Sequence, residues 1–496
     1  MTRWTLAALV LLLAATGVSA QDLTPPKQTA FDASEALIPE VRRLSMALWD
    51  HAEIGLREDD SAEVLAAALE AEGFTVERDV AGLPTAFVAS YGSGAPRIGV
   101  LAEYDALPGV GNAPVPRREP RGDGVTNGHG CGHNLFGAAS VAGAIAIKRA
   151  LEAHNLPGTV RLYGTPAEET LIGKVYMARE GLFDDLDAAI DWHPSTITGV
   201  RNQRGRAMNN FQVQFFGQAA HAASDPWNGR SALDAAEMMN YGANMMREHV
   251  RPTARIHYVI PRAGQAPNVV PEYAMLWYYV RDVDRASVEQ HYARLLQIAE
   301  GAALATNTTH EVTLLTGVHE MLLNRPLQEA MQANLDYIGA PTFTEEEHAF
   351  ARALQREVGG DEDGYSTDVQ ALADDVDPPR GGSTDVAEVS RITPSVGFSV
   401  TTAAQNIPWH SWAATASHGT EAGVKGAVVA TKAIALMGLD LFTDAALRAA
   451  AREAFEAGMD GATYVSPAAQ TAKDDTSWHE DSEVSAQYTI KDSLSE

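Results

Sequence analysis

The chain has 496 residues, 45% of them hydrophobic, and a formal net charge of −28. That length and composition build two or three domains with substantial cores and exclude global disorder. The acidic balance excludes nucleic acid and anionic membrane as partners, since both need a basic surface, and a single cysteine, Cys131, excludes an intramolecular disulfide.

Residues 1–20 carry one basic residue, Arg3, an apolar run at 6–18, and small residues at Val18, Ser19 and Ala20. This is the pattern of a secretory signal peptide, too short and wrongly flanked for a membrane anchor. Cleavage is expected after Ala20, with an exported protein in the periplasm or medium. No later apolar run reads as long and charge-free enough to cross a bilayer. Residues 22–30 read as a polar leader. Helices are expected at 35–51 and 60–72, the second ended by Gly73, and strands at 74–78, 86–91 and 97–102. The last strand runs into Glu103-Tyr104-Asp105-Ala106-Leu107-Pro108, so two acids stand at the carboxyl end of a buried strand, where open α/β sheets carry their sites.

Residues 128–134 read Gly-His-Gly-Cys-Gly-His-Asn and open into the apolar helix that begins near 135. A thiolate and an imidazole both suit a borderline-soft divalent ion, and the flanking glycines let Cys131 and His133 converge. The bland reading of Cys131 is a small buried hydrophobe; an unpaired thiol in an oxidising compartment favours a metal. A strand at 159–163 leads to Glu168 and Glu169. On an extended segment adjacent side chains diverge, so one can ligate while the other faces a neighbouring pocket; the alternative is a solvated corner. A further strand at 188–192 stops at His193. Candidate ligands thus recur at successive strand ends, which core packing does not explain.

From 205 to 317 the order strand-helix-strand-strand-helix-strand predicts an inserted α+β domain, with polar loops at 217–223 and 266–271. Catalytic-domain sequence is expected at 31–204 and again at 318–465. Its second part has helices at 324–338 and 345–356, an acidic loop at 359–380, a short helix capped within 381–386, a strand at 393–400, and a small-residue helix from 423. The acidic clusters at 345–347, 361–363 and 474–483 read as solvated faces, and residues 466–496 as an acidic, mobile tail.

The segments at 49–58, 103–108, 128–134, 166–169, 192–194, 220–234, 267–271, 383–386 and 408–412 occur in an order that resembles the amidohydrolase branch of the aminoacylase/carboxypeptidase-G-like zinc peptidases. The resemblance implies an α/β/α catalytic domain on a mixed sheet, with an inserted ferredoxin-like domain serving as lid and dimerisation unit. It implies two divalent ions in each protomer, zinc or manganese, with Cys131 bridging and His133, Glu169, His193 and His410 as further ligands; His418 competes with His410. Glu168 matches the general base. His221 matches a lid residue that polarises the scissile carbonyl, often from the partner protomer, and Asn268 a substrate-contacting loop. Asp105 is expected behind the ligands, and Glu103, where the family has Asp, outside the ligand set.

The expected reaction is amide hydrolysis on a small N-acyl or N-aroyl amino acid, or a dipeptide, with a free carboxylate. Arg206, Arg230 and Arg281 are candidates for gripping that carboxylate, and Arg281 is taken as the substrate-binding one. A homodimer through the lid is expected. The rivals are an exopeptidase on ordinary peptides and a non-catalytic, zinc-stabilised binding protein.

Overall fold

The computed structural model describes residues 23–376 and 381–470. The expected signal peptide and the tail beyond 470 lie outside the described residues. Within them the strands are β1 (Thr75–Arg78), β2 (Phe87–Ser93), β3 (Arg97–Ala102), β4 (Gly158–Gly164), β5 (Ala188–Ser195), β6 (Thr198–Val200), β7 (Ala207–Phe216), β8 (Arg255–Arg262), β9 (Tyr273–Asp282), β10 (Thr309–Val318), β11 (Val369–Gln370) and β12 (Ser395–Thr401).

One sheet has the order β1-β2-β4-β3-β5-β12-β6-β11. Its centre, β4, β3, β5 and β12, is parallel, whereas β1 pairs antiparallel with β2, β2 with β4, and β6 with β12. Successive residues of the central strands point to opposite faces. Ile98, Val100, Leu162 and Ile190 pack into the core that holds helices Ile38–His51, His133–His154 and Glu421–Thr443. Leu101, Tyr163 and Ala189 pack on the other side with helices Gly173–Arg179 and Val386–Ser390. The result is the expected α/β/α layering on a mixed sheet. The second sheet, β10-β7-β9-β8, is antiparallel throughout. It carries helices Ala232–Met246 and Arg285–Thr306 over one face, which is the ferredoxin-like order expected of the insertion.

Helices His133–His154 and Glu421–Thr443 interlock by glycine. A Cβ on Gly143 would come 2.6 Å from Ile434, and Gly438 offers the same relief to Ile147. Glu421–Thr443 corrects one expectation, for it has the length and apolarity of a membrane span; 78% of its apolar 18-residue stretch is buried inside the protein.

Other departures have local causes. Of the stretch read as a polar leader, residues 25–30 are helical instead: Pro25 opens the helix Pro25–Ala36, as proline suits a first helical turn, and Lys27 ties it to Asp440 at 2.9 Å. The cluster at 345–347 is more than a solvated face, because Thr344 and Glu347 form a capping box and Glu347 also receives Lys425 at 2.6 Å. The loop at 359–380 contributes β11, which pairs parallel with β6. The packed chain continues past 465, with Ala468 fully buried in a 3-10 turn, Pro467–Gln470, that lies against β10.

Candidate active site

The parallel strands deliver the site. β3 runs into Glu103 and Asp105, β4 into Glu168 and Glu169, and β5 holds His193. Cys131 and His133 flank Gly132, whose φ is 83° and whose absent Cβ would lie 2.8 Å from Pro194. Only glycine turns the chain there without strain, and this turn brings the thiol and the imidazole to one place.

Cys131 Sγ lies 3.4 Å from His193 Nε2. His133 Nδ1 donates to Asp105 Oδ1 at 2.9 Å and His193 Nδ1 to the Pro194 carbonyl at 2.6 Å. A ring that donates from Nδ1 carries its lone pair on Nε2, and these nitrogens face Cys131 and Glu103 respectively in His193 and His133. Donor atoms of Cys131, His133 and His193 lie within 4.8 Å of one another, and so do those of Cys131, Glu169 and His410; Cys131 is common to both groups. His410 Nε2 stands 3.4 Å from Glu169 Oε2. His418 instead donates from Nδ1 to the His129 carbonyl at 2.9 Å and stacks on Trp409; it joins no such group among the described residues.

Glu168 and Glu169 do not sit on an extended segment. They occupy one 3-10 turn, Glu168–Thr170, entered at Ala167 with φ 55° and left at Leu171 with φ 60°. Their side chains still diverge, since such a turn rotates by roughly a third of a circle per residue. Glu169 joins Cys131 and His410, while Glu168 joins Glu103 and His133. The left-handed Ala167 is held by Glu58, a buried acid to which the sequence pattern assigns no role; it accepts from Ala167 N–H and from Thr85 Oγ1, both at 2.8 Å.

Two further placements differ from expectation. Glu103 belongs to the cluster, with Oε2 3.2 Å from His133 Nε2 and Oε1 2.8 Å from Lys174 Nζ. Within the expected capping segment, Asp385 stands at the start of Val386–Ser390 without a side-chain cap bond, and its carboxylate goes to Lys174.

The electrostatics fit a metal. Burial pushes the Cys131 thiol well above its ordinary value, and Glu169 adds to this. Burial raises Glu169 to about 8 and Glu168 well above the usual carboxylate range, the latter helped by Glu103 and Asp385. Burial and the neighbouring His133 keep His193 neutral. His133 Nε2 and Glu169 Oε1 are buried without a hydrogen bond among the described residues. Acids that resist ionisation, clustered with imidazoles and a thiol, form a site short of positive charge, and divalent cations supply it. The mixed sulfur, nitrogen and oxygen donors suit a borderline-soft ion.

A cavity of about 570 Å³ opens from this cluster, walled by Arg281, Tyr279, Leu171, Ile197 and Trp409. Arg281, on β9, touches Met208 Sδ through Nε at 3.0 Å and lies 5.5 Å from the Tyr279 ring; it has no ion pair among the described residues. Arg206 and Arg230 do not line the cavity and donate to backbone carbonyls. His221 and Asn268 are exposed on two loops joined by the Ala222 N–H to Asn268 carbonyl bond of 3.0 Å, away from the cavity. Within one chain, the structure does not bring either to the cluster.

Residues 99–478 match the model of peptidase family M20/M25/M40. The chain belongs to this family. Its reaction is accordingly the metal-dependent hydrolysis of an amide bond. It is 40% identical to one of the polypeptides of the p-aminobenzoyl-glutamate hydrolase of Escherichia coli (strain K12), over 84% of this chain and 92% of that protein. It is 28% identical to the Xaa-Arg dipeptidase of Mus musculus over 88% of this chain and 94% of that one. Its fold is shared with a dinuclear metal-binding M20 peptidase of Bacillus subtilis, with a TM-score of 0.52 at 19% identity, covering 83% of this chain and 99% of that one.

Proposed function

We propose that the chain hydrolyses the amide of an N-acyl or N-aroyl amino acid with a free carboxylate, of the p-aminobenzoyl-glutamate kind. The observation that carries this reading is Cys131 shared between two donor groups and lining, with Glu168, a cavity whose wall also holds Arg281, which has no ion pair among the described residues. The residues proposed to hold two divalent ions, zinc or manganese, are Cys131 between them, with His133, Glu169, His193 and His410. Bound there, such ions lower the pKa of a water and polarise the amide carbonyl. The rest is the work of the chain. Glu168 takes the water's proton and returns it to the leaving nitrogen. Asp105 fixes the tautomer of His133, and Arg281 grips the substrate carboxylate.

The test is a panel of p-aminobenzoyl-glutamate, other N-acyl amino acids and unmodified dipeptides, run with the metal-reconstituted full chain. Highest kcat/KM on an N-aroyl or N-acyl amino acid is expected. Higher values on dipeptides would move the assignment to the exopeptidase reading, which the likeness to the mouse dipeptidase favours. Metal bound with no amide cleaved would restore the non-catalytic reading.

Arg281→Ala should raise KM about tenfold or more for carboxylate substrates, because a charge-assisted hydrogen bond contributes roughly 1.5–3 kcal/mol. An amide analogue of the substrate carboxylate should show no such change; equal effects on both would remove Arg281 from substrate binding.

His221 is proposed to act across a homodimer, which explains its exposure within one chain. In support, the inserted unit leaves Met238, Tyr241 and Met245 exposed along one helix, and Val259 and Ile260 exposed on its edge strand β8. His221→Ala should lose most turnover with metal content intact, and mixing it with a metal-site variant should restore part of the activity. A monomer with full activity would end this reading.

Export is proposed from the pattern of residues 1–20 alone. The mature chain should begin near Gln21, and intact mass of the soluble cytoplasmic protein should not include residues 1–20.

A further inference from the structure

Beneath the turn that carries Glu168 lies a wholly buried lysine. Lys174 is the second residue of the helix Gly173–Arg179 and has no solvent exposure. Its Nζ is 2.6 Å from Asp385 Oδ1 and 2.8 Å from Glu103 Oε1, and its backbone N–H donates to Asp385 Oδ2 at 2.9 Å. Glu103 and Asp385 are themselves buried. The three residues come from the end of β3, from this helix and from the turn before Val386–Ser390, so nothing local joins them. Gly173 permits the approach: a Cβ there would collide with the Pro166 carbonyl, and the helix therefore begins directly against the loop that leads to Glu168.

A lysine is almost never fully buried without partners, and a buried pair is a poor device for stability alone. Burial works against the Lys174 charge, but Asp385, Glu103 and Glu168 outweigh it and hold the ammonium above its ordinary range. Asp385 would suffice as a partner, since it clasps both the side chain and the backbone of Lys174. Glu103 is the partner that leads elsewhere. While Oε1 is held by Lys174, Oε2 faces His133 Nε2 at 3.2 Å, in the group that also contains Glu168.

We infer that Lys174 is a positioning residue for the hydrolytic centre: anchored by Asp385, it holds Glu103 at the angle that keeps Oε2 beside His133 and sets where His133 and Glu168 stand. The role is exerted through Glu103, not by contact with substrate. It rests on the reading of this cluster as the hydrolytic centre. A lysine that served only as a staple would lower overall stability and leave the geometry of the centre alone.

The test uses the full chain loaded with cobalt(II), whose thiolate and ligand-field absorption bands report the arrangement around the ion, together with kcat and KM. Lys174→Met should retain cobalt, shift those bands and lower kcat roughly thirtyfold or more with KM within about twofold, as misplacement near the reacting atoms does. Adding Glu103→Gln to Lys174→Met should lower kcat by less than about threefold further, because both substitutions act through one carboxylate. Effects that multiply independently, or a lowered melting temperature with native bands and native kcat, overturn the inference. Should Lys174→Met not fold, Asp385→Asn, which removes only the anchor's charge, is expected to shift the same bands and lower kcat roughly tenfold; native values there overturn it equally. If the wild-type chain neither holds cobalt nor cleaves an amide, the hydrolytic reading falls and the inference with it. Wild-type activity beside unaltered variants sinks the positioning role alone.

Discussion

Glu168→Gln is expected to leave the metal content of the protein unchanged and to lower turnover about a hundredfold or more, the scale of a positioned acid-base group. The amide keeps the size of the carboxylate but cannot accept a proton. Glu169→Gln should fail in another way. Glu169 Oε1 is buried without a hydrogen bond among the described residues and Oε2 faces His410, so the side chain is aimed at the group that contains Cys131. Replacing a charged ligand by a neutral one should weaken metal binding first, with activity partly recovered in excess metal. The two differ because one 3-10 turn, fixed at Ala167 by Glu58, sends neighbouring side chains to different groups. Elemental analysis beside single-turnover rates separates them. Metal lost from Glu168→Gln and kept by Glu169→Gln would exchange the roles, and two unaffected variants would make the pair structural.

Why these groups were legible in the sequence, and others were not, follows from how each is specified. The central strands are short apolar runs cut off by glycine or by polar residues, so their ends could be read, and Glu103, Asp105, Glu168, Glu169 and His193 all lie at or just beyond such ends. Cys131 and His133 announced themselves by the glycine between them. Lys174 did not, because a lysine near the start of a short helix looks like any solvated charge, and its partners are 71 and 211 positions away along the chain. Asp385 lay inside a segment read as a helix cap, a local use that its distant partner overrides. The extended reading of Glu168 and Glu169 failed because a left-handed alanine has no sequence signature; the hydrogen bond that holds it comes from Glu58. His221 and Asn268 carry no chemical pattern of their own and were named only through family likeness. Their exposure in a single chain is the outcome expected if a second copy completes the site.

Cys131→Ser should remove both ions together and take activity to background, a larger effect than losing any other ligand. Cys131 is the residue common to the two donor groups, whereas His193 and His410 each belong to one. A serine hydroxyl is a poor ligand because its proton is far harder to remove than that of a thiol. His410→Ala should therefore drop the bound metal by about half, with partial recovery in excess metal, and Cys131→Ser should drop it nearly to zero. Stability supplies a second readout that does not depend on activity. A metal present at about a hundred times its dissociation constant stabilises the folded state by ~2.7 kcal/mol. The wild type should therefore melt at a lower temperature once chelated, and Cys131→Ser should melt at that lower temperature with or without chelator. The side chain is small and 8% exposed, so the chelated wild type and the variant should otherwise match. If Cys131→Ser keeps one ion, the thiol serves a single position and the two groups are separate sites. If it keeps both, the thiol is a buried side chain beside a centre held by His133, Glu169, His193 and His410 alone.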